Sequence, residues 1–379
     1  NDAVNIPESL LMFVWIVGLL VYITSVSLYM LKIKYWRGAV CREMLHPLRY
    51  NFYAIIILAP LFLSLGAPKS ITDATCSGNK TVPPSFAYVM TVLQVVFNLC
   101  TYRTWLRPSS NFKINHDMNP GFQLSFVGNF IVAVVLGRAE LYELGKFMFA
   151  SGLFSLFLFY VTLVHAIGSS LASNRRHWVM PKQPDGIYYL FIAPPSAACL
   201  AWIGFAENSE SGFECSEMSR MFFFLALLFS FYFGDNVVIL MREIPRGMIS
   251  NMWAMTFPSV AIALAADSYS VQCYSSPFTE AMALSCIVLA LIIYACSAGW
   301  TIKALYKDDV FIIDGVMDVC IETHEEVLVT ESPGTPGIHS HTPPILEHNS
   351  HSHSHSHSTT PEPASSKLSP CKRSVHTVL

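Results

Sequence analysis

The chain has 379 residues, of which 53% are hydrophobic and only 13% charged, with a net charge of −3 and a mean hydropathy of +0.45. Soluble domains carry roughly 25% charged residues, so this composition excludes an ordinary water-soluble globule. The weak negative charge excludes bulk attraction to nucleic acid, and the lipid bilayer is the solvent that fits.

Taken in chain order, the apolar runs predict an all-α polytopic membrane protein. Nine spans are read at residues 10–31, 51–66, 85–106, 122–137, 141–164, 187–206, 221–240, 252–266 and 278–302. About 20 apolar residues cross a bilayer as a helix. The fourth and eighth runs are short and require an upright path or half-polar ends. Basic residues collect in alternate connections. Lys32, Lys34, Arg37, Arg42 and Arg49 follow the first run, and Arg103, Arg107 and Lys113 follow the third. Arg175, Arg176 and Lys182 follow the fifth, Arg242 and Arg246 the seventh, and Lys303 and Lys307 the ninth. The positive-inside rule puts these connections in the cytoplasm. The other connections are acidic or mixed, and one carries Asn79-Lys80-Thr81, an N-glycosylation acceptor pattern. An odd number of spans puts residue 1 outside, yet residues 1–8 have neither a basic leader nor an initiator Met. One further span before residue 1 is therefore expected, leaving both natural termini in the cytoplasm.

Proline placement separates the spans into two sets. Pro60 falls in the second run, Pro194 and Pro195 in the sixth and Pro258 in the eighth, while the fourth has Gly128-Asn129 instead. Proline removes a backbone donor and bends a helix. In lipid, the freed carbonyl is tolerated where it faces protein or a water-filled path. The alternation predicts an inner ring of bent helices inside an outer ring of straighter ones. Ionisable residues are scarce in the runs. Asp235, His165 and Glu280 come closest to mid-span, and each lies near an end. Proton relays hold such groups within the membrane. Their scarcity suits an uncharged pore selecting by size, backbone dipoles and apolar constriction. No nucleophile–base pair, phosphate loop or His-x-x-x-His pair appears in a span, so neither an enzyme nor a cofactor is expected.

Four phrases carry a family resemblance: His46-Pro-Leu-Arg49-Tyr-Asn-Phe52, Asn119-Pro-Gly-Phe-Gln-Leu-Ser-Phe-Val-Gly-Asn-Phe130, Leu190-Phe-Ile-Ala-Pro-Pro-Ser-Ala-Ala198 with Trp202, and Trp253-Ala-Met-Thr-Phe-Pro258. In this order they resemble the plant slow-type anion channels of the tellurite-resistance/dicarboxylate transporter superfamily. The resemblance implies ten helices in five hairpins, arranged with quasi-five-fold symmetry around a central pore in each subunit of a homotrimer. It makes the first run here the family's second helix. It also implies a passive channel for chloride, nitrate or malate in the plasma membrane. Phe257 would plug the pore with Phe130 opposite it, and His46 and Arg49 would stand at the cytoplasmic mouth. A proton-coupled dicarboxylate or sulfite carrier of the same superfamily is the alternative. The chain departs from the plant pattern at Pro181-Lys-Gln-Pro-Asp-Gly186, and at Asp235-Asn236, where plant members often have Arg. An acid there repels entering anions.

Residues 1–307 form the expected channel domain and residues 308–379 a disordered cytoplasmic tail. Pro, Ser, Thr and His dominate the tail from Ser332 onward. Ser332, Thr335, Thr342, Thr360 and Ser369 each precede proline and are candidate sites for a regulatory protein kinase. His351, His353, His355 and His357 could bind a divalent metal, but a solvated spacer has the same composition and no metal role is assigned. Thr377-Val378-Leu379 resembles a weak PDZ-type ending. Of ten cysteines, Cys76, Cys215 and Cys273 fall in outer connections, where one disulfide among them or three free thiols are both open. Cys100, Cys199, Cys286 and Cys296 fall within runs and read as small apolar residues.

Overall fold

The computed structural model describes residues 7–45, 50–76, 80–106, 120–172, 186–206, 217–243 and 249–306. The chain divides into two units, Asn1–Cys320 and Ile321–Leu379, and all the described residues belong to the first. Every regular element among them is helical, as lipid requires of a spanning chain whose backbone bonds must close within each segment.

Helix α1 (Glu8–Tyr35) has Glu8 in its first turn and Lys32 and Lys34 in its last, which complements the helix dipole. Helix α2 (Arg37–Leu45) follows after Trp36. Helix α3 (Ala54–Leu65) contains Pro60 and stops at Gly66. Helix α4 (Lys69–Thr75) leaves it at a bend of 97°. Helix α5 (Pro84–Leu106) opens on proline, whose missing N–H is unused in a first turn anyway. A 3-10 turn (Pro120–Phe122) leads into α6 (Gln123–Arg138), and α7 (Tyr142–Ala172) returns. A second 3-10 stretch (Gly186–Ile192) leads into α8 (Ala193–Ala206). Then come α9 (Glu217–Glu243), α10 (Ile249–Ser268) with a π turn (Tyr269–Cys273) at its end, and α11 (Pro277–Tyr306).

Each of the nine expected runs coincides with helix. Seven helical stretches among the described residues are long and apolar enough to cross a membrane, α6 and α8 together with their 3-10 leads, and an eighth passes if α3 and α4 count as one bent span. Two expected spans therefore differ from a simple crossing. Helix α3 has 12 residues, about 18 Å at 1.5 Å per residue. Helix α10 has the length but is interrupted by Asn251, Thr256, Ser259 and Asp267.

Burial alternates along the chain. Helix α6 is buried on every side down to Gly137, and α8 nearly so, whereas α5, α7, α9 and α11 expose most of their surface and α1 buries nothing. Helix α6 packs between α3 and α8, and α8 between α6 and α10. The exposed helices back them: α5 and α7 lie on α6, α9 on α8, α11 on α10 and α1 on α3. The inner helices α3, α6, α8 and α10 thus form an arc, and each is separated from the next by one long returning helix (α5, α7 or α9), so all four run the same way. Aromatic rings fill the layer between inner and outer helices. Phe126 meets Phe159 at 5.5 Å and Phe149 meets Trp202 at 5.1 Å between centroids.

Helix α6 turns into α7 through Glu140, the described non-glycine residue with positive φ, at 62°. Glu140 N–H donates to the Gly137 carbonyl and Leu141 N–H to the Leu136 carbonyl, which is the Schellman pattern that usually places glycine at this position. The Glu140 carboxylate lies 3.7 Å from Lys80 Nζ on the connection into α5. Both side chains are more than a third exposed, so screening leaves that pair weak. Glu140→Val, branched at a left-handed position, is expected to cost about 1–2 kcal/mol. Glu140→Gly is expected to leave thermal unfolding in detergent unchanged or slightly raised.

Candidate pore-lining site

Phe257 sits on α10 directly before Pro258, which offers no N–H to the Ala254 carbonyl. Its ring meets Phe62 of α3 edge-on, with centroids 5.5 Å apart and planes at 74°. Phe62 follows Pro60 by two positions. Helices α3 and α10 are the two ends of the inner arc, and their backbones make almost no close approach elsewhere. The two rings therefore meet where the arc would otherwise stay open. Both are half-buried, whereas Pro258 is buried.

Phe130, expected opposite Phe257, makes its ring contact with α7. It is fully buried between α6 and α7, with Phe149 at 5.4 Å and 70°. Gly152 makes room for it, since a Cβ there would stand 2.9 Å from the Phe130 ring. The ring that Phe257 faces is Phe62, which the sequence reading did not select. Its signal was a proline–aromatic pair on α3 that mirrors Phe257-Pro258 on α10.

Pro194 and Pro195 occupy the first turn of α8, where the 3-10 stretch gives way to α-helix. They mark the change of helix type within one continuous span, Tyr188–Phe205. Helix α6 also runs unbroken through Gly128-Asn129. These two residues instead bring α5 close. Asn98 Nδ2 donates to Asn129 Oδ1 at 2.6 Å. Gln94 Nε2 donates to Asn98 Oδ1 at 3.0 Å and to the Ser125 carbonyl at 2.8 Å. Ser125 Oγ in turn donates to Asn51 Oδ1, just before α3. All five side chains are buried, so this chain of amides joins three helices where hydrocarbon offers no other partner. Gln123 is buried beside them with both amide atoms unpartnered.

The inner helices carry Asp, Glu, Lys, Arg or His only at Arg138 and Asp267, each in a last turn. His165 and Glu280 are exposed, and Glu280 accepts from Ser275 Oγ at 3.2 Å near the start of α11. The side chain of Asp235 lies outside the described residues, as do His46, Arg49, Asn79, the tail serines and threonines and the histidine run. Among the described residues, no group of three His, Cys, Asp or Glu could hold a metal. Cys273 is disulfide-bonded and Cys76 is free, while Cys215 lies outside the described residues. Cys100, Cys199, Cys286 and Cys296 are free.

A Cβ on Gly128 would stand 2.4 Å from Gln94 Oε1. Gly128→Ala is expected to expel the Gln94 amide from both of its bonds, at about 1–3 kcal/mol. Thermal unfolding in detergent measures this. Gly204→Ala, with nothing within 4 Å, serves as the unaffected control.

The model of the SLAC1 family, described as voltage-dependent anion channel, matches residues 5–302. Three Arabidopsis thaliana proteins are similar to the chain. The S-type anion channel SLAH3 is 27% identical over 300 residues, covering 78% of this chain and 43% of that protein. The S-type anion channel SLAH2 is 29% identical over 258 residues, covering 68% and 45%. The guard cell S-type anion channel SLAC1 is 27% identical over 270 residues, covering 71% and 45%. The chain spans less than half the length of these relatives. Helical throughout its described residues and matched over most of its length, the chain belongs to the SLAC1 family of anion channels.

Proposed function

We propose that this chain is a passive anion channel in which chloride, nitrate or malate passes along the inner face of α3, α6, α8 and α10. The Phe62–Phe257 contact is the observation that carries this reading. It joins two inner helices that otherwise stay apart, and large apolar rings at a narrow, dry point stop ions by dewetting. The inner helices, charged only in the last turns of α6 and α10, support the same view, because a proton-coupled carrier needs a titrating group within the membrane. Assembly as a homotrimer in the plasma membrane, and control by a kinase acting on the tail, are carried by the family resemblance.

Two-electrode recordings in oocytes test the proposal. Reversal potentials are expected to follow the anion gradient and to ignore external pH. A reversal potential that tracks pH overturns it in favour of a proton-coupled dicarboxylate or sulfite carrier. Phe257→Ala is expected to raise basal current per channel at the surface, and Phe62→Ala to act in the same direction. Phe130→Ala is expected to cost about 3–5 kcal/mol as a core truncation, lowering surface expression without opening the path.

A further inference from the structure

Helix α1 buries no residue, yet it holds α3 at three points along its length. Trp15 Nε1 donates to the Leu63 carbonyl at 2.8 Å. Tyr22 donates its hydroxyl to the Ile56 carbonyl at 3.2 Å. The Tyr29 hydroxyl bonds that of Tyr53. Tyr53 in turn donates to Glu43 Oε2 at 3.4 Å, and Lys32 pairs with Glu43 Oε1 at 2.5 Å. The three aromatic donors recur every seven residues, a spacing that keeps them on one helix face.

The carbonyls they reach are ones that α3 cannot satisfy. An α-helical N–H bonds the carbonyl four residues earlier. Pro60 has no N–H, so the carbonyl it deprives is that of Ile56, the acceptor of Tyr22. Leu63 lies in the last turn of α3, where carbonyls lack helical donors. The Gly66 N–H that closes this turn goes to Phe62 instead. Hydrocarbon supplies no water to either carbonyl.

We propose that Tyr22 is a positioning residue: its hydroxyl supplies the hydrogen bond that Pro60 removes from α3. Together with Trp15 and Tyr29 it fixes where α3 presents Phe62 to Phe257. The functional half of this proposal rests on reading those rings as a gate, whereas the bond itself does not.

A double-mutant cycle on the full chain tests both halves. Tyr22→Phe keeps the ring and removes the donor. Pro60→Ala gives residue 60 an N–H that can take over the Ile56 carbonyl. Tyr22→Phe alone is expected to lower the folded-to-unfolded ratio in detergent about three- to twenty-fold, the range of interhelical hydrogen bonds in membranes. In the Pro60→Ala background the same change is expected to have almost no effect. With carbonyl-13C isoleucine, the Ile56 signal is expected to shift on Tyr22→Phe only when Pro60 is present. Equal effects in both backgrounds with an unmoved Ile56 carbonyl overturn the proposal. Basal current per surface channel is expected to change with Tyr22→Phe and to return towards the parent level in the double variant. Current that ignores Tyr22 while the carbonyl responds overturns the link to the rings. Failure to pass any anion would sink the channel reading instead, and would leave the carbonyl and stability results to decide the bond.

Discussion

A backbone carbonyl without a donor costs several kcal/mol in hydrocarbon, and that penalty governs how this chain can be built. It forces every described span to be helical and makes each interior proline a debt to be met by a neighbour. At Pro60 the neighbour is Tyr22 on the returning helix. The same pressure explains where the side-chain amides sit. Gln94, Asn98, Asn129, Ser125 and Asn51 bond one another across α5, α6 and the start of α3, since lipid could not satisfy any of them singly.

Helix α6 is the piece that this arrangement centres on. It touches α3, α5, α7 and α8 and has no face left for lipid until its final residue. Close approach there depends on small residues opposite large ones: Gly152 beneath Phe130, and Gly128 beneath Gln94. The motif Gly128-Asn129-Phe130 is thus one sentence of packing. Its glycine admits a side chain from α5, its amide bonds α5, and its ring fills the groove of α7.

The alternation of inner and outer helices was legible in the sequence because it depends on local signals, hydropathy and proline position. Pro60 and Pro258 do lie inside helices, as their apolar flanks predict. Pro194 and Pro195 also lie inside a span, at a change from 3-10 to α-helix that hydropathy does not register. The partners across helices were not legible. The chain has 26 phenylalanines, and although Phe62 stands near a proline as Phe257 does, that pairing does not say which ring it meets almost 200 residues later. Gly128-Asn129 stood out by composition, but its role is set by Gln94 and Asn98 on a different helix. The aromatic donors of α1 escaped for a related reason: a seven-residue spacing is visible, but its meaning depends on which carbonyls lie opposite.

The common direction of the four inner helices has an electrical consequence. Each helix carries roughly half a positive elementary charge at its N-terminus and half a negative one at its C-terminus. Helices α3, α6, α8 and α10 all begin at the end where the basic connections gather, so their dipoles add rather than cancel. An anion placed beside these helices would meet an attractive field at that end and a repulsive one at the other, from the backbone and not from charged side chains. The inner face is thus polarised by its backbone alone.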